Sequence, residues 1–239
     1  MTHPFFCGQN IQRLGEYAKW PGPSPVPIPW HLDLSGYSGN LSRQQILDAF
    51  AQAWLWWAEG AEINPALVGS AAEAKVRMHF AAIDGPGQIL AWSELADNTN
   101  QPKTQRYDAR DVWIVTQGNM QGGIDITRVA CHEIGHVLGL EHDGQNSGAL
   151  MAPFVSDSVF KPIPRDITRL LGLGYTKRTT PIPTDPPPPG GLPRPNTIRI
   201  SRQMGPGVFG DVSLGSKMDI GDYMLVLQGD AGDGPPPIP

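Results

Sequence analysis

The stretch from His132 to His142 reads His-Glu-Ile-Gly-His-Val-Leu-Gly-Leu-Glu-His and holds three of the six histidines in the 239-residue chain. His132 and His136 are four residues apart, so on a helix both imidazoles project from the same face. Gly139 allows the backbone to leave the helix with a positive φ angle, and His142 can then return toward the first two from another direction. Three imidazole nitrogens can bind Zn²⁺ and leave its fourth position open, which is the arrangement of a catalytic zinc. The spacing therefore predicts a catalytic zinc site with His132, His136 and His142 as its ligands.

Glu133 follows the first predicted ligand directly, and we expect it to act on a metal-bound water rather than to bind the metal. The metal lowers the pKa of the water and polarises a peptide carbonyl, while the carboxylate takes the proton and later passes it to the leaving amine. Pairs of helical histidines are common, but the extended pattern with Gly139 and His142 is far more specific. Met151 is predicted to form a turn whose thioether lies beneath the imidazoles, although taken alone it would be interpreted as core packing.

On either side of this stretch, the sequence predicts short strands and three helices. A helix is expected to begin near Asp125 or Thr127 and to end near Leu138, with a last short helix at residues 165–171. Ser42 and Gln45 have the capping-box spacing, which predicts a helix of about four turns with a Trp-rich apolar face in the core. Alternating or short apolar runs predict strands at residues 30–34, 76–80, 89–92 and 112–115.

The composition also predicts the domain organisation. Eight of the seventeen residues from 179 to 195 are proline, which predicts an extended, semi-stiff spacer. Beyond it, residues 196–239 contain three short apolar runs that are typical of strands. We therefore expect an N-terminal segment at residues 1–19, a catalytic domain at 20–178, a Pro-rich linker at 179–195 and a small β-rich C-terminal segment at 196–239.

Charge and composition exclude several classes of function. The chain has 18 basic and 23 acidic residues and no run of five basic residues, so nucleic-acid binding is not expected. No stretch approaches about 18 apolar residues, so no membrane span is expected. Residues 1–8 lack the charged and apolar regions of a signal peptide. The two cysteines, Cys7 and Cys131, cannot form a disulfide framework, and Cys131 is interpreted as an inert buried thiol.

The chain resembles the metzincin zinc endopeptidases and, within them, the matrix metalloproteinase (matrixin) catalytic domain, over about residues 30–175. Three further segments are similar to family motifs: Asp84-Gly85-Pro86-Gly87 with Leu90-Ala91, then Tyr107-Asp108-x-x-Asp111-x-Trp113, and finally Asp166-Ile167 with Tyr175. The resemblance implies an α+β fold with a twisted, mostly parallel five-stranded sheet and three helices. It also implies a secreted or extracellular protease that cleaves internal bonds of a protein or peptide substrate bound along an edge strand, and we expect a monomer.

Two departures from the family concern metal sites. In the family, a second, structural zinc takes one pair of ligands from a long loop, and in this chain that loop has shrunk to Ala82 and Ile83. Two histidines complete the family's site, and Trp92 and Arg106 occupy their positions here. We therefore expect one zinc per chain. The neighbouring calcium site can persist, because hard oxygen ligands from two loops suit Ca²⁺, although solvated loop aspartates are the alternative. Its predicted ligands are the carboxylates of Asp84, Asp108 and Asp111 and the carbonyls of Gly85, Gly87 and Ile89.

Three residues are candidates for inhibition or specificity. Matrixin pro-segments carry a Cys-Gly whose thiolate fills the fourth zinc position, which makes Cys7 a candidate inhibitory ligand; a free cysteine is the alternative. Arg128 occupies a position that lines the P1′ substrate pocket in the family, and its long side chain is predicted to shorten that pocket; the alternative is that Arg128 faces solvent. Pro153 is assigned to the same pocket. P1′ itself is expected to be hydrophobic. Two other functions stay open: a metzincin protease outside the matrixins, or a binding protein whose C-terminal segment has the main role.

Overall fold

The computed structural model describes residues 18–116, 122–143, 148–154 and 158–180 in full, and the backbone of strands at residues 6–9, 200–205, 208–211 and 223–225. The chain divides into two compact units, Met1–Gly190 and Gly191–Pro239. Most of the predicted linker, from residue 181 onward, lies outside the described residues, so the predicted domain boundaries remain a proposal.

The described part of the first unit contains eight strands and three helices. The strands are β1 (Phe6–Gln9), β2 (Val26–Asp33), β3 (Ile63–Leu67), β4 (Val76–Ala81), β5 (Ile89–Ser93), β6 (Lys103–Asp108), β7 (Trp113–Ile114) and β8 (Ile124–Asp125). The helices are α1 (Arg43–Gly60), α2 (Ile126–Val137) and α3 (Pro164–Gly172). None of the helices in the described ranges is both long enough and apolar enough to cross a membrane.

Five strands form the mostly parallel sheet that was expected, in the order β5-β6-β4-β2-β3. Strand β5 runs antiparallel to β6, whereas the other neighbouring pairs are parallel. Strand β1 adds a sixth strand to the outer edge of β5, in parallel, with Cys7 opposite Ala91. The α+β fold class is confirmed.

Helix α1 forms as its sequence predicts. The Ser42 hydroxyl accepts a hydrogen bond from the Gln45 amide at 3.2 Å, and the Gln45 side chain accepts one from the Ser42 amide at 2.9 Å. The apolar face of the helix, including Trp54 and Trp57, is buried in the core. The indole of Trp57 donates to the carbonyl of Cys131 at 2.8 Å, which ties α1 to α2.

Several strands differ from the prediction. Strand β2 begins at Val26, four residues before the start of the predicted strand at 30–34, because residues 26–30 pair with β3. The strand predicted at 112–115 is reduced to the two residues of β7. Strands β3 and β6 were not predicted, because their sequences contain few β-branched or aromatic residues.

The second unit contains a small antiparallel sheet with the strand order β10-β9-β11. Its strands are β9 (Ile200–Gly205), β10 (Val208–Asp211) and β11 (Tyr223–Leu225). They overlap the three predicted apolar runs.

Candidate metal centre

Helix α2 brings two of the predicted ligands into the interior. The Asp125 carboxylate caps the helix by accepting the Thr127 amide at 3.0 Å. Every residue from Ile126 to Val137 is buried, since the helix packs against both α1 and β5. His132 and His136 are therefore 7% and 0% exposed, shielded from bulk water.

The three predicted ligands converge on one point. The Nε2 atoms of His132 and His136 are 3.1 Å apart, and the Nε2 atoms of His142 and His132 are 3.2 Å apart. Three nitrogens around a tetrahedral zinc at about 2.0–2.1 Å lie roughly 3.3 Å from one another, so the spacing suits this metal. In the described part of the chain, this is the only set of three or more His, Cys, Asp or Glu side chains close enough to share a metal ion.

Backbone carbonyls set the orientation of the two helical imidazoles. The Nδ1 atom of His132 donates to the Leu150 carbonyl at 2.7 Å, and that of His136 donates to the Leu140 carbonyl at 2.6 Å. With the proton on Nδ1, the lone pair of Nε2 faces the centre, as is usual for metal-binding histidines. These partners could not be predicted from the sequence, because any residue type supplies a carbonyl.

Burial keeps the three imidazoles neutral. Desolvation, reinforced by neighbouring positive charge, lowers the pKa of His132 to about 3 and that of His142 to about 4. The same causes lower the pKa of His136 well below its ordinary value. Neutral imidazole is the form that binds a metal.

Two glycines permit the close packing of this centre. Gly139 has a φ angle of +101°, and a Cβ there would also lie 2.9 Å from the Ala18 carbonyl oxygen. Gly135 lies against Met151, whose Sδ atom a Cβ at that position would overlap. Met151 is fully buried, and its thioether packs against helix α2 at Gly135.

The remaining predicted active-site residues lie on or near the same helix. Glu133 is fully buried on α2, next to His132. Arg128, one turn earlier, is 4% exposed and therefore does not face solvent. Pro153 follows Met151 by two residues and is half-buried.

Asp166 was assigned to the closing helix, but its interaction with the metal centre was missed. Its carboxylate accepts the backbone amides of Leu150, Met151 and Ile163 at 3.0–3.3 Å. It thereby fixes the turn that supplies both Met151 and the carbonyl partner of His132. An acid in the first turn of α3 is the sequence signal that would have indicated such a cap.

The predicted calcium ligands surround the loop at residues 83–89. One carboxylate oxygen of Asp108 accepts the amides of residues 83–85 at 3.1–3.3 Å. One oxygen of Asp111 accepts the Gly87 amide at 2.7 Å, and Asp84 accepts the Ile89 amide at 3.3 Å. In this geometry the three carboxylates accept hydrogen bonds from backbone amides and are not close enough to one another to share a metal ion. Calcium binding therefore remains a prediction.

Asp111 differs from the other two aspartates. It is 6% exposed, and its Oδ2 atom is buried without a hydrogen-bond partner among the described residues. Burial, followed by the charges of Asp108 and Asp84, raises the pKa of Asp111 to about 6. A cation at this position would relieve the penalty for its negative charge.

The two positions of the family's second zinc are filled by a stacked pair. The guanidinium carbon of Arg106 lies 5.1 Å from the centroid of the Trp92 ring. The Nε atom of Arg106 donates to Nε2 of His79 at 3.3 Å. Neither a guanidinium nor an indole has a lone pair to offer zinc, so neither residue can serve as a ligand.

Two imidazoles and a carboxylate belong to one buried helix, a third imidazole follows a glycine turn, and a methionine packs against the helix at Gly135. This combination is typical of a metzincin-type zinc peptidase. The family model described as Matrixin matches residues 27–170, more than half of the chain. The chain therefore belongs to the matrixin family, whose members are zinc metalloendopeptidases. The match does not favour another metzincin subfamily.

Individual relatives also match part of this chain. Stromelysin-3 from Mus musculus is 33% identical over 164 residues, which cover 61% of this chain and 31% of that protein. Matrix metalloproteinase-19 from Mus musculus is 30% identical over 151 residues, or 59% of this chain and 27% of that protein. Matrix metalloproteinase-26 from Homo sapiens is 34% identical over 103 residues, which cover 42% of this chain and 37% of that protein. The chain thus spans less than two-fifths of the length of each of these relatives.

Proposed function

We propose that this chain is a zinc endopeptidase that hydrolyses internal peptide bonds with Glu133 as the general base. The observation that carries the proposal is the convergence of three neutral Nε2 atoms at about zinc spacing, beside a fully buried carboxylate. When bound, zinc supplies a Lewis acid that lowers the pKa of water and polarises a carbonyl. His132, His136 and His142 hold the metal, while Glu133 accepts the proton of the attacking water and delivers it to the leaving nitrogen.

The sheet supports a binding mode for an extended protein or peptide substrate. Strand β5 packs against α2 and, apart from β1, is the outer strand of the sheet on that side. A peptide that takes the place of β1 would pair with β5 through its backbone. Arg128 and Pro153 would then border the pocket for a hydrophobic P1′ side chain. We propose that the protease acts outside the cell as a monomer, in line with the family resemblance.

The family match supports a peptidase over a binding protein whose main role lies in residues 196–239. The match covers residues 27–170, all within the first unit. Those residues include each proposed zinc ligand and Glu133.

A peptide-library assay tests the proposed function. The purified chain, loaded with one equivalent of zinc, should cleave peptides internally, and a chelator should abolish cleavage until zinc is restored. The Glu133→Gln variant, prepared in parallel, controls for contaminating proteases. A zinc-loaded, folded chain that cleaves no member of a diverse library would contradict the proposal.

A further inference from the structure

The third ligand is held differently from the first two. His132 and His136 are fixed by the helix backbone and by hydrogen bonds from Nδ1 to carbonyls. His142 lies beyond the end of α2, and within the described ranges its Nδ1 atom makes no hydrogen bond. The position of the His142 imidazole therefore depends on how the chain on either side of it is held.

Two arginines on α3 hold both neighbours of His142. The guanidinium of Arg165 binds the Asp143 carboxylate through Nε and through Nη2, the latter at 3.2 Å from Oδ1. Arg169, one turn later on the same face of α3, donates from Nη2 to the Glu141 carbonyl at 2.9 Å. Residues 141 and 143 are thus attached to one rigid element.

The partners of this arginine pair are themselves well anchored. Asp143 is 7% exposed, and its amide donates to the Met151 carbonyl at 2.7 Å. Helix α3 is tied to the same turn through Asp166 and packs into the core through the fully buried Leu170. A two-point contact with the guanidinium fork restricts rotation more than a single hydrogen bond does.

We propose that Arg165 and Arg169 are positioning residues that hold the His142 imidazole in place for metal binding. This inference rests on the proposed zinc site. By fixing both flanking residues before the metal arrives, the pair lowers the ordering cost of the third ligand and thereby raises zinc affinity. Neither arginine contacts the metal or the substrate in this proposal.

The deciding measurement is the zinc affinity of the folded, metal-free protein, which is determined by competition with a chromophoric chelator. Loss of an outer-shell partner typically weakens metal binding about 10–100-fold. Because these arginines act through the backbone, we expect about tenfold weaker binding for Arg165→Gln and for Arg169→Gln. The charge-exchanged pair Asp143→Arg with Arg165→Asp should recover most of the affinity lost in Arg165→Gln.

Arg77→Gln is the matched control. Its guanidinium also donates to a backbone carbonyl, that of Ala71 at 2.9 Å, but Arg77 lies on β4. Among the described residues, no hydrogen bond or ion pair joins Arg77 to residue 141 or 143. This variant should bind zinc as tightly as the parent. If the charge-exchanged pair does not fold, Asp143→Asn replaces it and should weaken binding as Arg165→Gln does.

The outcomes separate this inference from the zinc site on which it rests. If both arginine variants melt at a lower temperature without metal yet bind zinc within about twofold of the parent, their role is structural and the inference is wrong. If the parent does not bind zinc, or if His142→Ala binds it as tightly as the parent, then the proposed zinc site itself is wrong.

Discussion

Glu133 is a fully buried carboxylate beside the first ligand, and at the scale of single residues it makes the sharpest test of the mechanism. Glu133→Gln keeps the size of the side chain and all three imidazoles but removes the proton acceptor. We expect one zinc per chain, as in the parent, and a kcat lower by roughly 10²–10⁴-fold. Metal analysis and peptide cleavage on the same sample would measure both.

Two results would count against this view of Glu133 and of the metal content. Near-normal turnover in Glu133→Gln would remove the carboxylate from the mechanism. Two zinc ions per folded chain would contradict the prediction that the second zinc site is lost because Trp92 and Arg106 occupy its histidine positions.

Arg128 provides a test of specificity. It is almost fully buried one turn before His132, where we propose that it shortens the P1′ pocket. Arg128→Leu should open that pocket, so kcat/KM for peptides with a long apolar P1′ residue should rise about tenfold relative to peptides with P1′ alanine.

Cleavage of the P1′ alanine peptide serves as the internal control for folding of the Arg128→Leu variant. If the P1′ preference of the variant matches that of the parent, Arg128 does not line the pocket.

The candidate zinc ligands could be predicted because the spacing of residues along a helix determines which side chains lie on the same face. His132, Glu133 and His136 share one helix, and the sequence determines which face each occupies. The carbonyls of Leu140 and Leu150 could not be predicted, since they orient the imidazoles without any dependence on side-chain identity. Arg165 and Arg169 were missed because their partners are distant in sequence and become neighbours only after folding.

At the scale of elements, the loop at residues 83–89 is where a cation should affect stability. The buried Oδ2 atom of Asp111 has no hydrogen-bond partner among the described residues, and the pKa of Asp111 is raised; both observations favour calcium at this point. Saturating Ca²⁺, at about 100 times its dissociation constant, should raise the melting temperature by roughly 5–10 °C. Calorimetry in calcium and in an equal concentration of magnesium would measure this difference.

Asp111→Asn provides the comparison for the calcium experiment. It removes the buried negative charge but can keep the hydrogen bond from the Gly87 amide, so it should fold and lose most of the response to calcium. An equal calcium response in parent and variant, or none in the parent, would contradict a site that contains Asp111.

The elements differed in how well the sequence predicted them, for physical reasons. Helix α1 contains its own capping box and apolar face, so local sequence was sufficient. Strand β6 reads Lys-Thr-Gln-Arg-Tyr-Asp and is extended because it pairs with β4 and β5. Such a strand depends on its neighbours, and short-range periodicity does not detect it.

At the scale of the whole molecule, the proposed machinery lies within the first compact unit, Met1–Gly190. A chain that ends at Gly190 should therefore cleave short peptides with a kcat/KM within about twofold of the full chain. The same truncation that also carries Glu133→Gln is the control for background cleavage. A truncated chain that folds and binds zinc but no longer cleaves would assign residues 191–239 a part in catalysis.

Strand β1 places the backbone of Cys7 opposite Ala91, on the outer edge of β5, where we propose that substrate binds. When β1 occupies this edge, it competes with substrate for pairing with β5. If the Cys7 thiolate also binds the zinc, it would displace the catalytic water. If the blocked state holds about nine-tenths of the molecules, Cys7→Ser should raise activity about tenfold without a change in cleavage pattern.

A thiol-alkylating reagent should activate the parent to the same extent and should leave Cys7→Ser unaffected, which separates this thiol from Cys131. Equal specific activities of parent and Cys7→Ser at matched zinc occupancy would show that Cys7 does not inhibit the enzyme, even if β1 does.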